Sequence, residues 1–94
     1  MKINLELHLK FEGTGSLHFD HPVVNARYFR EDPHKEAARW AYKRFKAILR
    51  EHGYIDLVID KIIYNREHDI TDLVQEMVNA PIDTQVEWAL NGYI

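Results

Sequence analysis

Residues 2–11 alternate between apolar and polar without a break. Ile3, Leu5, Leu7, Leu9 and Phe11 point one way, and Lys2, Asn4, Glu6, His8 and Lys10 the other. A period of two is that of a strand with one buried face. Gly13-Thr14-Gly15 follows and predicts a three-residue hairpin loop, with Gly15 in the left-handed conformation. That loop sets Phe11 opposite Leu17 and Leu9 opposite Phe19, so apolar residues meet on one face. The outer face then carries Glu6, His8, Lys10, His18 and Asp20. Pro22 cannot donate to a ladder, which puts an edge, a bulge or the strand end there. From Val23 to Phe29 the spacing fits a further extended segment with Val24, Ala26 and Tyr28 inward, with Asn25 as a competing turn signal.

The period changes to that of a helix over 33–52. Asp32 can accept from the free N–H groups of a first turn, and Pro33 suits the first helical position. Gly53 is a stop signal. Between them lie four alanines and a single β-branched residue, Ile48. Ala38, Ala41, Tyr42, Phe45, Ile48 and Leu49 form one apolar face. Opposite it, Lys35, Arg39, Lys43, Lys46 and Arg50 fall within an arc of about 80°. Three of their spacings are four residues, so like charges sit as neighbours, each such pair costing an isolated helix about 0.2–0.5 kcal/mol. Glu36 and Glu51 lie off this row. Trp40 flanks it, placed either to stack on a partner or to cover the edge of the core.

Beyond the helix, Ile55, Leu57 and Ile59 alternate with Asp56 and Asp60, and the phase slips near Lys61 before Ile62, Ile63 and Tyr64. The density of β-branched residues favours strand over the competing helical spacing. Asn65 to Asp69 reads as a polar turn. Thr71 is placed to cap a short helix over 72–79 that buries Leu73, Val74 and Met77. Residues 83–91 fit either a helix capped by Asp83 and stopped by Gly92, or a strand in which Ile82, Thr84, Val86, Trp88 and Leu90 alternate. The pattern predicts an α+β fold in a single domain. An N-terminal β-hairpin and further strands form a small, mainly antiparallel sheet, packed on one long amphipathic helix, with a short helical or mixed C-terminus.

Composition narrows the class. Ninety-four residues with 46% apolar and 29% charged content are those of one folded domain. Absence of cysteine removes disulfides and thiolate metal sites and suits a cytoplasmic protein. The N-terminus does not read as a signal peptide, and no apolar run has the length of a membrane span. The net charge of −3 conceals a segregation: residues 1–33 carry −1, residues 34–52 carry +4, and residues 53–94 carry −6. A dedicated nucleic-acid binder is usually basic overall; here a basic helix sits in an acidic chain.

The chain has no phosphate loop, no His-Glu-x-x-His and no serine with a base fixed by spacing. The best metal candidate is His8, His18 and Asp20 on the hairpin with His21 nearby, although cross-strand His–Asp pairing explains those residues without a metal. No catalytic residues, metal ligands or cofactors are assigned. His34 and His52 lie at opposite ends of the helix, too far apart to act as an acid–base pair. The expected function is a non-enzymatic protein-interaction module, of the kind that regulates or inhibits a larger protein. It would use the acidic C-terminal half or the basic helix, with self-association as a homodimer a further expectation. The alternative is nucleic-acid binding, and the binding residues are the same for both: Lys35, Arg39, Trp40, Lys43, Lys46 and Arg50. A small metal-dependent hydrolase or nuclease stands third. The layout resembles that of small accessory proteins of bacteria and their viruses, with no motif carrying the likeness.

Overall fold

The structure, a computed structural model, describes residues 1–53 and 57–80. The alternation at 83–91 therefore lies outside the described residues, as do Ile55 and Asp56. Among the described residues four strands form one antiparallel sheet: β1 (Leu5–Phe11), β2 (Thr14–Asp20), β3 (Leu57–Tyr64) and β4 (His68–Asp69), in the order β2-β1-β3-β4. Among the same residues three helices accompany it: α1 (Ala26–Glu31), α2 (Pro33–Glu51) and α3 (Thr71–Asn79). This is the expected α+β architecture, with the long helix on one face of the sheet.

The core is the inner face of β1 against the apolar face of α2. Ile3, Leu5, Leu7 and Leu9 are at most 1% exposed. They meet Ala38, Ala41, Tyr42, Phe45 and Ile48 of α2, with Ile62 and Tyr64 of β3 and Val74 and Met77 of α3. Burying a side chain such as Leu7 contributes roughly 1.5–3 kcal/mol. Helix α2 begins as its residues dictate: the Asp32 carboxylate accepts from the Lys35 N–H at 3.2 Å, and Pro33 opens the first turn. His52 is the C-cap, and Gly53 follows at φ +70°.

The hairpin departs from expectation. Its turn is the two-residue Glu12-Gly13, both with positive φ (+50° and +80°), a type I′ turn whose twist matches that of the strands. Gly15 is a strand residue paired with Lys10. Leu9 therefore faces Ser16, not Phe19, a shift of three positions. Because the shift is odd, it moves every side chain of β2 to the other face. Leu17 and Phe19 lie on the outer face beside His8 and Glu6, 49% and 58% exposed, while His18 and Asp20 pair with Leu7 and Leu5 on the inner one.

Elsewhere the structure differs from expectation in smaller ways. The segment after Pro22 is not a further strand: only Val23 bridges Lys2, and Asn25 then caps α1 by accepting from the Tyr28 N–H. Val24 is buried as expected, but Ala26 and Tyr28 are exposed. The polar turn at 65–69 contains a short strand, β4. Thr71 is the first residue of α3 rather than its cap. Its Oγ1 accepts from the Ile62 N–H at 2.9 Å and donates to Asp69 Oδ1 at 2.6 Å. The phase slip expected near Lys61 is real: Lys61 pairs with His8 and Ile59 with Leu9, leaving Asp60 as a bulge.

Candidate functional site

Helical spacing puts the basic row on the solvent side of α2, and the structure sorts its members into two kinds. Lys35, Lys43, Lys46 and Arg50 are exposed. Arg39 is not a free cation. Its guanidinium lies 3.0 Å from Glu36 Oε1, and Glu36 is buried. The other oxygen of Glu36 accepts from the Trp40 indole N–H at 3.2 Å and from the Asn25 backbone N–H at 3.1 Å. One carboxylate thus ties α2 to the start of α1 and is itself fully partnered, as a buried charge must be. It also relieves the Lys35–Arg39 and Arg39–Lys43 repulsions and leaves the like-charge contacts of Lys46 with Lys43 and Arg50 in place.

Aromatic rings line both margins of the row. Trp40 is half-buried and packs against the core, so it covers the core edge and holds the Glu36 hydrogen bond. Lys43 Nζ lies 4.9 Å from its ring centroid. Tyr42, on the other margin, carries Lys46 Nζ at 5.5 Å, and Tyr28 of α1 carries the Arg39 guanidinium at 5.4 Å. Each contact contributes about 0.5–1 kcal/mol at an exposed site and holds the cation at a fixed height over the surface. Spacing along α2 located the cations. It could not locate Tyr28, which reaches them from another element, and it put Glu36 off the row without showing that it is buried there.

The hairpin histidines separate. His8 is on the outer face, 3.5 Å from Glu6, and His18 is on the inner face, so the expected trio of His8, His18 and Asp20 does not converge. Among the described residues no three His, Asp or Glu side chains gather to hold a metal ion. His18 Nε2 hydrogen-bonds Ser16 Oγ at 3.2 Å. Burial lowers the His18 pKa, and the charges of Arg44 and His52 lower it further against an opposing contribution from Glu51.

A second imidazole cluster forms at the other end of α2. His34 Nδ1 hydrogen-bonds the Tyr64 hydroxyl at 2.5 Å, and the His68 ring stacks on Tyr64 with centroids 4.7 Å apart. Burial, with Asp32 adding to it, raises the Tyr64 pKa. The phenol therefore stays protonated and serves as a hydrogen-bonding pillar. His52, stacked on Phe11 at 5.2 Å, is far from His34 at the opposite end of the helix.

No family model matches the chain, and no curated protein and no solved structure shows a significant likeness to it. Among the described residues no helix is long and apolar enough to cross a membrane.

Proposed function

We propose that this chain is a non-enzymatic protein-interaction module that docks on an acidic surface of a larger protein through the exposed face of α2. Lys35, Lys43, Lys46 and Arg50 supply the charge, and the half-buried Trp40 forms an apolar margin. The observation that carries this reading is the state of the row. Lys35, Lys46 and Arg50 form no ion pair among the described residues, and the buried Glu36 is already committed to Arg39. A run of cations kept exposed at a cost in helix repulsion supplies steering and orientation toward an acidic partner.

Nucleic acid would use the same cations, but the rings are poorly placed for it. Tyr28, Trp40 and Tyr42 each have a cation of this chain over the ring, where a stacked base would lie. Affinity capture from a lysate of the source, with the whole chain and with the Lys43→Glu/Lys46→Glu variant, tests the reading when each is run with and without nuclease. One stoichiometric acidic protein that survives nuclease and is lost with the charge reversal is expected. A partner indifferent to the reversal, or loss of all protein after nuclease, would reject it.

A further inference from the structure

The feature that leads furthest outside α2 is the margin of the sheet at β2, which no described residue covers. Among the described residues β2 has a neighbour on one side only, β1. The far margin is closed differently, by the two-residue β4 running directly into α3. Natural edge strands are usually kept from pairing by Lys, Pro, a bulge or brevity. Strand β2 is seven residues long with an unbroken register against β1 and contains neither Lys, Arg nor Pro. Its Leu17 and Phe19 are two of the large apolar side chains most exposed to water.

The turn decides which backbone groups face outward. In a two-residue hairpin the closing pair, here Phe11 and Thr14, exchanges both hydrogen bonds, and the pattern then alternates. Thr14, Ser16, His18 and Asp20 are spent on β1. Gly15, Leu17 and Phe19 turn their N–H and C=O groups away from the sheet. We propose that these groups pair with the same three residues of a second copy, β2 against β2, antiparallel about a two-fold axis at Leu17, to join the four described strands of each copy into one continuous sheet.

The register follows from pair chemistry. A two-fold at Leu17 sets Leu17 against Leu17, Gly15 against Phe19, Ser16 against His18 and Thr14 against Asp20. No like charges meet, and each polar side chain faces one that can hydrogen-bond to it. A side chain at Gly15 would meet nothing within 4 Å, so the opposing Phe19 ring has open space to cover it. Moving the axis to His18 would oppose two imidazoles. Moving it to Ser16 would oppose Asp20 and Glu12. With the axis at Leu17, all three outward residues are used and about six inter-strand hydrogen bonds form. The two Leu17–Phe19 pairs merge into one apolar patch on the outer face, and both copies of α2 lie together on the other face. Strand pairing of this size buries less than a standard interface, so the dimer is a weak, concentration-dependent one.

Sedimentation equilibrium of the whole chain over micromolar to millimolar concentrations is the first test, with circular dichroism to confirm folding. A monomer–dimer equilibrium is expected, abolished in Phe19→Lys, whose exposed site tolerates the change. The chain has no cysteine, so single-cysteine variants then read the register. In the proposed dimer two copies of L17C stand about 5.5 Å apart between Cα atoms, within disulfide reach. Two copies of F19C are offset by four positions, about 13 Å. Mild oxidation should therefore yield covalent dimer from L17C and little from F19C. A chain that stays monomeric throughout overturns the proposal. So does a dimer that survives Phe19→Lys, or one that cross-links as readily through F19C as through L17C.

Discussion

Strands β1 and β2 share one pattern and have opposite fates. Leu5, Leu7 and Leu9 alternate with polar residues along β1 and are at most 1% exposed; Leu17 and Phe19 alternate with polar residues along β2 and are half exposed. Alternation supplies a period, and the turn supplies the phase. Glu12-Gly13 closes the hairpin one way, and a loop at 13–15 would have closed it the other. The surroundings agree with the observed phase. Helix α2 packs over β1 and β3, and beside the inner face of β2 it offers Arg44, Glu51 and His52. Those neighbours suit a polar side chain such as the neutral His18 imidazole and would leave an apolar ring there against charge.

The largest expected effect comes from making one truncation in both strands. Leu7→Ala removes a fully buried side chain and should cost about 2–5 kcal/mol. Leu17→Ala, measured at concentrations where the chain is monomeric, should fall within about ±0.5 kcal/mol. Urea denaturation gives both values. Equal losses would put Leu17 in the core and reject the register.

The turn itself gives the next effect. Gly13 has φ +80° with open space around it, so Gly13→Ala costs only the left-handed conformation, about 1–2 kcal/mol. Gly15 has extended backbone in a strand, where alanine is better by about 0.5–1 kcal/mol. The two alanine variants should therefore move stability in opposite directions. A loop centred on Gly15 would exchange their signs. Glu12→Asn, which converts the turn to the preferred Asn-Gly pair, should be stabilising.

What was legible in the residues was what local rules decide. Helix α2 was readable from Asp32, Pro33 and Gly53, because caps act within a few residues of themselves. The β3 bulge was readable because it shifts the alternation at Asp60. The hairpin phase was not, since Glu12-Gly13 and Gly13-Thr14-Gly15 are both acceptable turns and only contacts with α2 separate them. Asn25 is ambiguous in the same way, serving a turn or a helix cap equally well. In the candidate surface the five cations were visible from spacing. The conversion of Arg39 from recognition charge to structural ion pair depends on the burial of Glu36, which α1 creates from outside the helix.

The smallest effect tests the phase through a proton. His18 faces Arg44, Glu51 and His52 of α2, with Ser16 on its own strand. Burial is the main cause of its lowered pKa, and Arg44 and His52 add to it while Glu51 opposes them. The unfolded chain titrates this imidazole near about 6.5, so below that pH it binds a proton that the folded chain still excludes. Stability therefore falls as pH drops from about 6.5 toward the lowered folded value, and this contribution is constant above 6.5. Asp69 acts in a separate window. Hydrogen bonds from the Thr71 side chain and backbone lower its pKa, so its contribution is present above about 3.9 and lost below it. Denaturation midpoints of the whole chain and of His18→Gln, measured from pH 7.5 to 5, should differ in slope only on the acid side of 6.5. With the opposite phase His18 would stand in water on the outer face, away from Arg44 and His52. The two slopes would then coincide, and β2 would have to be turned over.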